Sequence, residues 1–228
     1  MTRLRNAIEA PPAVLGVVVA EAILTLLPPA LEATRAAVLE RRRAAPTPED
    51  ERVRQAVRDL LRRGRYKPTG RGKPASEYLL RTAQEGVFPS IQPAVDAANL
   101  VSLDSLLPVS LWDLDRARAE GYVFRVGRPG ETYVFNAGGQ AIELEDLLVG
   151  CAVAADGSEV PCLSPVKDSL ATKAAGDTRR VAAVLYAPVA ERQRLEEATA
   201  MLHALLAACT SDGNARSGRV EPGTTAEL

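Results

Sequence analysis

Asp168, Ser169, Thr172, Lys173, Asp177 and Thr178 crowd the segment just before the apolar stretch Val181–Ala187. Hydroxyls, carboxylates and an ammonium gathered at a strand entrance admit two readings. They cap turns, or they rim a pocket that binds an anionic or polar ligand. Asp113 and Asp115 stand two apart; such a pair can share a proton or hold a metal, or Asp113 caps a short helix over Leu114–Ala119. In the loop GRYKPTGRGKP, Gly64–Pro74, the cations Lys67, Arg71 and Lys73 could line a phosphate backbone. The alternative is a merely exposed basic loop. The G-x-x-x-x-G-K-[ST] order of a P-loop is absent.

Other chemistries have little material. His203 is the only histidine and falls within a helical stretch beside Glu196 and Thr199, so a Ser–His–Asp triad is rejected. Cys151, Cys162 and Cys209 share no metal-type spacing. No metal and no cofactor are expected. A sparse, odd cysteine set fits a reducing cytoplasm better than a disulfide framework. The net charge is −1, which argues against a non-specific DNA binder, so any nucleic-acid contact is local.

The elements that must position these residues follow from periodicity. Val14–Ala20 is β-branched and apolar throughout, as in a strand covered on both faces. Arg3 and Arg5 ahead of the apolar run Ala13–Leu27 imitate a signal peptide. Glu21 interrupts that run, which is shorter than the roughly 20 residues of a membrane span, so no membrane association is expected. Pro28–Pro29 opens a helix through Arg43, ending in Arg41–Arg43, where cations suit the helix dipole. Thr47 caps the next helix, with Pro48 at its first position. Ser76 is expected to cap a helix over Glu77–Glu85. Pro93–Leu106 reads as a helix ended by Pro108, with Trp112 as a core anchor in the turn beyond it.

The second half changes period. Tyr122–Val126 and Thr132–Asn136 read as a hairpin across GRPGE. Leu147–Ala155 and Val160–Leu163 read as a pair across Asp156–Gly157. Val181–Ala187 is the last expected strand, and Ala190–Cys209 a closing helix. Residues 211–228 are polar and expected to be disordered. Helices followed by a strand-rich half give an α+β class with four to six mostly antiparallel strands and helices packed on one face. Residues 1–210 are expected to form a single domain.

The order KPTGRGKPASEYLLR, PAVDAANLVSL, LPVSLWDLDR, a Gly130–Glu131 turn and DS-x-x-TK-x-x-x-DTRRV resembles the B3/B4 domain of the phenylalanyl-tRNA synthetase beta subunit, in a freestanding form. The resemblance covers roughly Val14–Ala187, with no aminoacylation core or anticodon-binding module beside it. In the synthetase this domain is the editing site, which hydrolyses the ester of mischarged tyrosyl-tRNA. The resemblance therefore implies a tRNA-binding protein that hydrolyses misacylated aminoacyl-tRNA in trans, or a non-catalytic module for tRNA or an amino-acid-like ligand. The expected partner is the aminoacylated acceptor end of tRNA; a monomer is favoured.

The family's V-D-x-x-N matches Val95, Asp96 and Asn99. Its P-x-H-x-x-D matches Pro108 and Asp113, with Ser110 at the histidine position. Thr178 matches a threonine before the apolar strand, Lys173 stands for a glutamate that reads the tyrosine hydroxyl, and a glycine pair is missing around Pro165–Lys167. These matches imply Asn99, Ser110 and Thr178 as residues that position water or polarise the carbonyl. They imply Asp113, Asp168, Ser169, Thr172 and Lys173 for substrate binding, and Lys67, Arg71 and Lys73 for tRNA.

Overall fold

The computed structural model describes residues 2–227. Its centre is β2 (Ala13–Ala20), every residue of which is buried. An apolar strand with both faces covered must also satisfy both backbone edges. β9 (Val181–Pro188) pairs antiparallel with it from Ala20↔Val181 to Ala13↔Pro188. Its other edge is covered by β10 (Ala215–Val220), giving a four-stranded sheet β10-β2-β9-β3, where β3 is Val109–Asp113.

A second sheet runs β11-β1-β4-β7-β8, from Thr225–Glu227, Arg3–Asn6, Gly121–Val126, Leu148–Val153 and Glu159–Leu163. Only β1 and β4 are parallel in it. β5 (Thr132–Val134) and β6 (Ala141–Glu143) form a small ribbon. The chain is thus α+β with mostly antiparallel sheets.

Helices pack on the four-stranded sheet. α4 (Pro93–Ser105) and α6 (Arg192–Ala208) contact each other, and both contact β9. α1 (Pro29–Arg43) and α3 (Ala75–Gln84) pack outside α4. Gly16 on β2 allows α6 its close approach, because a Cβ there would collide with the Thr199 hydroxyl. α2 (Pro48–Leu61) begins with a capping box in which Thr47 and Asp50 bond each other's backbone N–H. Among the described residues no helix is long and apolar enough to cross a membrane.

Several expectations need correction. Residues 215–220 and 225–227 are strands, not disordered tail: β10 covers the edge of β2, and β11 covers β1. Val181–Ala187 is accordingly not the last strand, and the strands are more numerous than four to six. The GRPGE hairpin does not form: β4 pairs with β1 and β7, and β5 turns back on β6 across Gly138–Gly139. Glu131 closes the turn on Arg128 and at the same time holds the buried Arg125 in a two-pronged ion pair. Ser76 lies inside α3, whose N-cap is Pro74. Trp112 is fully buried as expected but sits on β3, edge-on to Tyr122 with ring centroids 4.9 Å apart.

The two sheets meet at Asn6, which is fully buried. Its Nδ2 donates to Ala13 O at 2.8 Å and Val220 O at 3.1 Å, and its Oδ1 accepts from Ile8 N at 3.1 Å. Asn6→Ala removes all three bonds and strands buried backbone groups, so it should destabilise the fold by roughly 2–4 kcal/mol. Urea unfolding tests this; a loss below about 1 kcal/mol would show that Asn6 is not the junction.

Candidate functional site

β3 is the edge strand of its sheet; β9 is the one strand paired with it among the described residues, and on its outer side Trp112 makes an isolated bridge to Lys173. The segment after β8 folds over this outer edge. Ser164 organises that turn: its Oγ donates to Lys167 O at 2.8 Å and accepts from Lys167 N at 3.1 Å. The turn delivers Asp168 to β3, where one carboxylate oxygen accepts from Leu111 N at 3.3 Å and the other from Ser164 N at 3.1 Å. Burial raises the Asp168 pKa from its ordinary 3.8 to about 6, against the opposing pull of the Ser164 and Leu111 hydrogen bonds and the Lys173 charge.

Asp168 forms part of the floor of a cavity of about 1260 Å³. Tyr78, Leu80, Phe135, Ile142 and Val166 supply much of its apolar wall, and Arg71, Lys73, Lys167 and Lys173 its cationic rim. Among the described residues none of these four cations, nor Asp168, makes an ion pair. Arg54, also on the wall, is taken up by Glu51 and Glu77. Lys173 Nζ donates to Phe135 O at 3.1 Å, and Lys167 Nζ lies 4.0 Å from the Phe135 ring centroid. Burial, and then the charge of Arg71, lower the Lys167 pKa. The cavity therefore joins excess positive charge at its rim to Asp168 on its floor and to the exposed Glu143, neither of them in an ion pair among the described residues. Among the described residues no group of three or more His, Cys, Asp or Glu is placed to hold a metal.

The residues expected at a site are not all brought together. Asp168, Lys173, Arg71 and Lys73 line the cavity. Lys67 is exposed on the loop leading to it. Ser110 lies fully buried; its Oγ donates to Ser164 O at 3.1 Å and accepts from the Tyr186 hydroxyl at 3.2 Å. Thr178 is buried elsewhere, donating to Asp113 Oδ2 at 2.6 Å and accepting from Ala175 N at 2.9 Å. Asp113 caps the short α5 (Leu114–Ala117), accepting from Asp115 N and Arg116 N. Asn99 is half-buried on α4, and no hydrogen bond among the described residues joins it to Ser110 or Thr178. Its neighbour Asp96 fixes the entry to α4, accepting from Ser90 Oγ and Ile91 N. Ser169 and Thr172 line a separate groove.

No hydrogen bond among the described residues joins Asn99, Ser110 and Thr178, and the Ser110 and Thr178 hydroxyls are each engaged by other groups. Spacing alone could not place Lys167 and Phe135 in the cavity, because the strand pairing that delivers Phe135 was not legible. One signal was present: LSPVKD puts Ser164 and Asp168 at the offset of a side-chain-capped turn.

The model of the B3/4 domain matches residues 67–202 of this chain. Among solved structures, an N-terminal fragment of the phenylalanyl-tRNA synthetase beta-subunit from Pyrococcus horikoshii is similar at 12% identity and a TM-score of 0.41. The match covers 51% of this chain and 39% of that one, so this chain spans about two-fifths of the fragment's length. No curated protein matches.

The raised Asp168 pKa makes a stability prediction. Folded Asp168 holds its proton to about pH 6, whereas the unfolded acid releases it near 3.8. The folded state therefore binds more protons in that window, and stability falls as pH rises through it. Asp168→Asn should remove that slope, while leaving one of the two backbone donors, Leu111 N or Ser164 N, without its acceptor. Unfolding from pH 4 to 7 checks this; a wild-type-minus-variant difference that is flat with pH would contradict it.

Proposed function

The chain belongs to the B3/4 domain family, and we propose that it binds the aminoacylated acceptor end of tRNA in the Asp168 cavity and hydrolyses misacylated esters there. The observation that carries this reading is the cavity's charge arrangement: Arg71, Lys73, Lys167 and Lys173 without ion pairs, against two carboxylates without ion pairs, Asp168 and the exposed Glu143. A nucleic-acid end needs cations for its phosphates. The apolar wall suits an amino-acid side chain, and exposed Tyr78 offers an aromatic face for a terminal base.

Asp168 is the group suited to the proton transfer. It faces the cavity, and its pKa of about 6 leaves it ionised yet still basic near neutral pH. In the proposed step a water attacks the ester carbonyl carbon while Asp168 takes its proton. The bond from that carbon to the ribose oxygen then breaks, and the proton passes to the departing ribose hydroxyl. A positioned base of this kind contributes about 10²–10⁴-fold. The buried, already bonded Ser110 is unsuited to replace it. A second reading, a non-catalytic module for tRNA or an amino-acid-like ligand, is favoured by the Ser110 and Thr178 hydroxyls being engaged by other groups.

One set of measurements separates the two. The purified chain is titrated against a panel of correctly charged and mischarged tRNAs, following binding and ester loss together. Arg71→Glu with Lys73→Glu should weaken binding at least about tenfold and flatten its salt dependence. Asp168→Asn should keep binding and lower hydrolysis by about 10²–10⁴. The wild-type rate should rise with pH to a plateau above about 6. Binding without cleavage selects the second reading; no binding to any tRNA rejects the first reading and the tRNA form of the second.

A further inference from the structure

The cations on the Asp168 cavity that have no ion pair fall into two sets. Arg71 and Lys73 belong to the glycine-rich loop ahead of α3, on the short turn Gly70–Gly72 and just beyond it. Lys167 and Lys173 flank Asp168 in the chain, and both ammonium groups reach Phe135. Lys173 Nζ donates to Phe135 O at 3.1 Å, and Lys167 Nζ lies 4.0 Å from the ring centroid. The Lys173 charge also acts on the Asp168 carboxyl. This second set therefore lies beside the acid that the proposed hydrolysis uses.

An ammonium group carries three N–H donors. Lys173 gives one to Phe135 O, and no other acceptor meets its Nζ among the described residues. Lys167 is half-buried, yet no hydrogen-bond acceptor meets its Nζ among the described residues. The face of Phe135 attracts that charge but accepts none of its N–H groups in a directed bond. Burial and the neighbouring Arg71 charge both act against the Lys167 ammonium. A partly desolvated cation without an acceptor is unfavourable, and an anionic group on a ligand removes the penalty.

Charge balance leads to the same place. Arg71, Lys73, Lys167 and Lys173 outnumber the carboxylates without ion pairs, Asp168 and Glu143. A terminal nucleotide carrying a neutral aminoacyl group brings one phosphate charge and one ammonium charge, which cancel and leave the cavity's surplus standing. A carboxylate on the aminoacyl side chain supplies the missing negative charge, and complementary charge in a cleft discriminates between otherwise similar ligands. With the phosphate on Arg71 and Lys73, the cations left for that carboxylate are the two at Phe135. We infer, resting on the reading that this cavity takes the aminoacylated end of tRNA, that the aminoacyl group it selects is acidic, aspartyl or glutamyl. The side-chain carboxylate lies on Lys167 and Lys173, with its methylenes against Phe135 and Val166. Lys167 and Lys173 are then specificity residues, and Asp168 remains the group that moves the proton.

The test uses the full chain and one tRNA body charged in turn with aspartate, asparagine, glutamate, glutamine and lysine, so that the RNA contacts stay constant. Amide-linked forms report binding, and the esters report enzyme-dependent hydrolysis. The aspartyl or glutamyl form should be bound, and its ester cleaved, at least about tenfold better than the asparaginyl or glutaminyl form of the same shape. Lys167→Glu combined with Lys173→Glu should invert the order and place the lysyl form above the glutamyl form. A merely structural role for the two lysines would lower all five forms alike. Circular dichroism and thermal midpoint establish that the double variant folds, and the wild-type comparison stands without it. Equal binding and hydrolysis of the acid and amide forms, with tRNA bound, would overturn the acidic preference and leave the tRNA reading in place. A folded double variant that kept the wild-type order would overturn the assignment to Lys167 and Lys173. No binding of any of the five would overturn the tRNA reading and the preference together.

Discussion

The outer edge of β3 is the constraint on which the candidate site depends. β9 is buried along its length and must be paired on both sides. β2 supplies one side and β3 the other, which leaves β3 with an outer edge that no strand covers and that is bridged at Trp112 to Lys173. The Leu111 N–H on that edge, and the Ser164 N–H of the turn crossing it, both end on Asp168. A carboxylate is an acceptor-only group able to take both donors at once. The acid that completes the sheet edge is therefore also the acid that faces the cavity. Its raised pKa is the electrostatic consequence of burial without an ion-pair partner, and the same burial makes it a usable base.

The near-neutral net charge conceals a sorted distribution. Most of the chain's arginines have partners: Arg58 and Arg54 converge on the buried Glu77, and Arg125 is shared by Glu131 and Glu159. Such pairs fix helices and turns but leave little field outside. Arg71, Lys73, Lys167 and Lys173 are unpaired and fall on one cavity. A local positive field in a low-dielectric cleft attracts an anionic ligand more effectively than an evenly spread excess would. Burial and the charge of Arg71 both lower the Lys167 pKa, consistent with cations crowded against one another.

Where hydrophobic period or cap chemistry is strong, the sequence reading matches the structure. β2, β9 and α6 are long apolar or periodic stretches, and the Thr47 cap of α2 follows from residue types alone. β10 and β11 were illegible because they are polar; β10 is a strand through its backbone pairing with β2, not through its own burial. The GRPGE turn looks like a hairpin loop, yet β4 is claimed by β1 and β7, a tertiary pairing invisible in local spacing. The site was half legible for the same reason. Residue types marked Asp168, Lys173, Arg71 and Lys73. Only the topology shows that Thr178 is consumed in holding Asp113, and that Ser110 is buried in bonds to Ser164 and Tyr186.

The most direct test of the central claim is a crystal structure of the chain with a non-hydrolysable aminoacyl-adenosine, in which an amide replaces the ester and a 5′-phosphate is retained. The account expects the phosphate beside Arg71 and Lys73 and the aminoacyl group against Phe135 and Val166. It places the amide carbonyl within one water molecule of the Asp168 carboxylate. Ligand bound elsewhere on the chain, or in the cavity with its carbonyl turned away from Asp168, would contradict it.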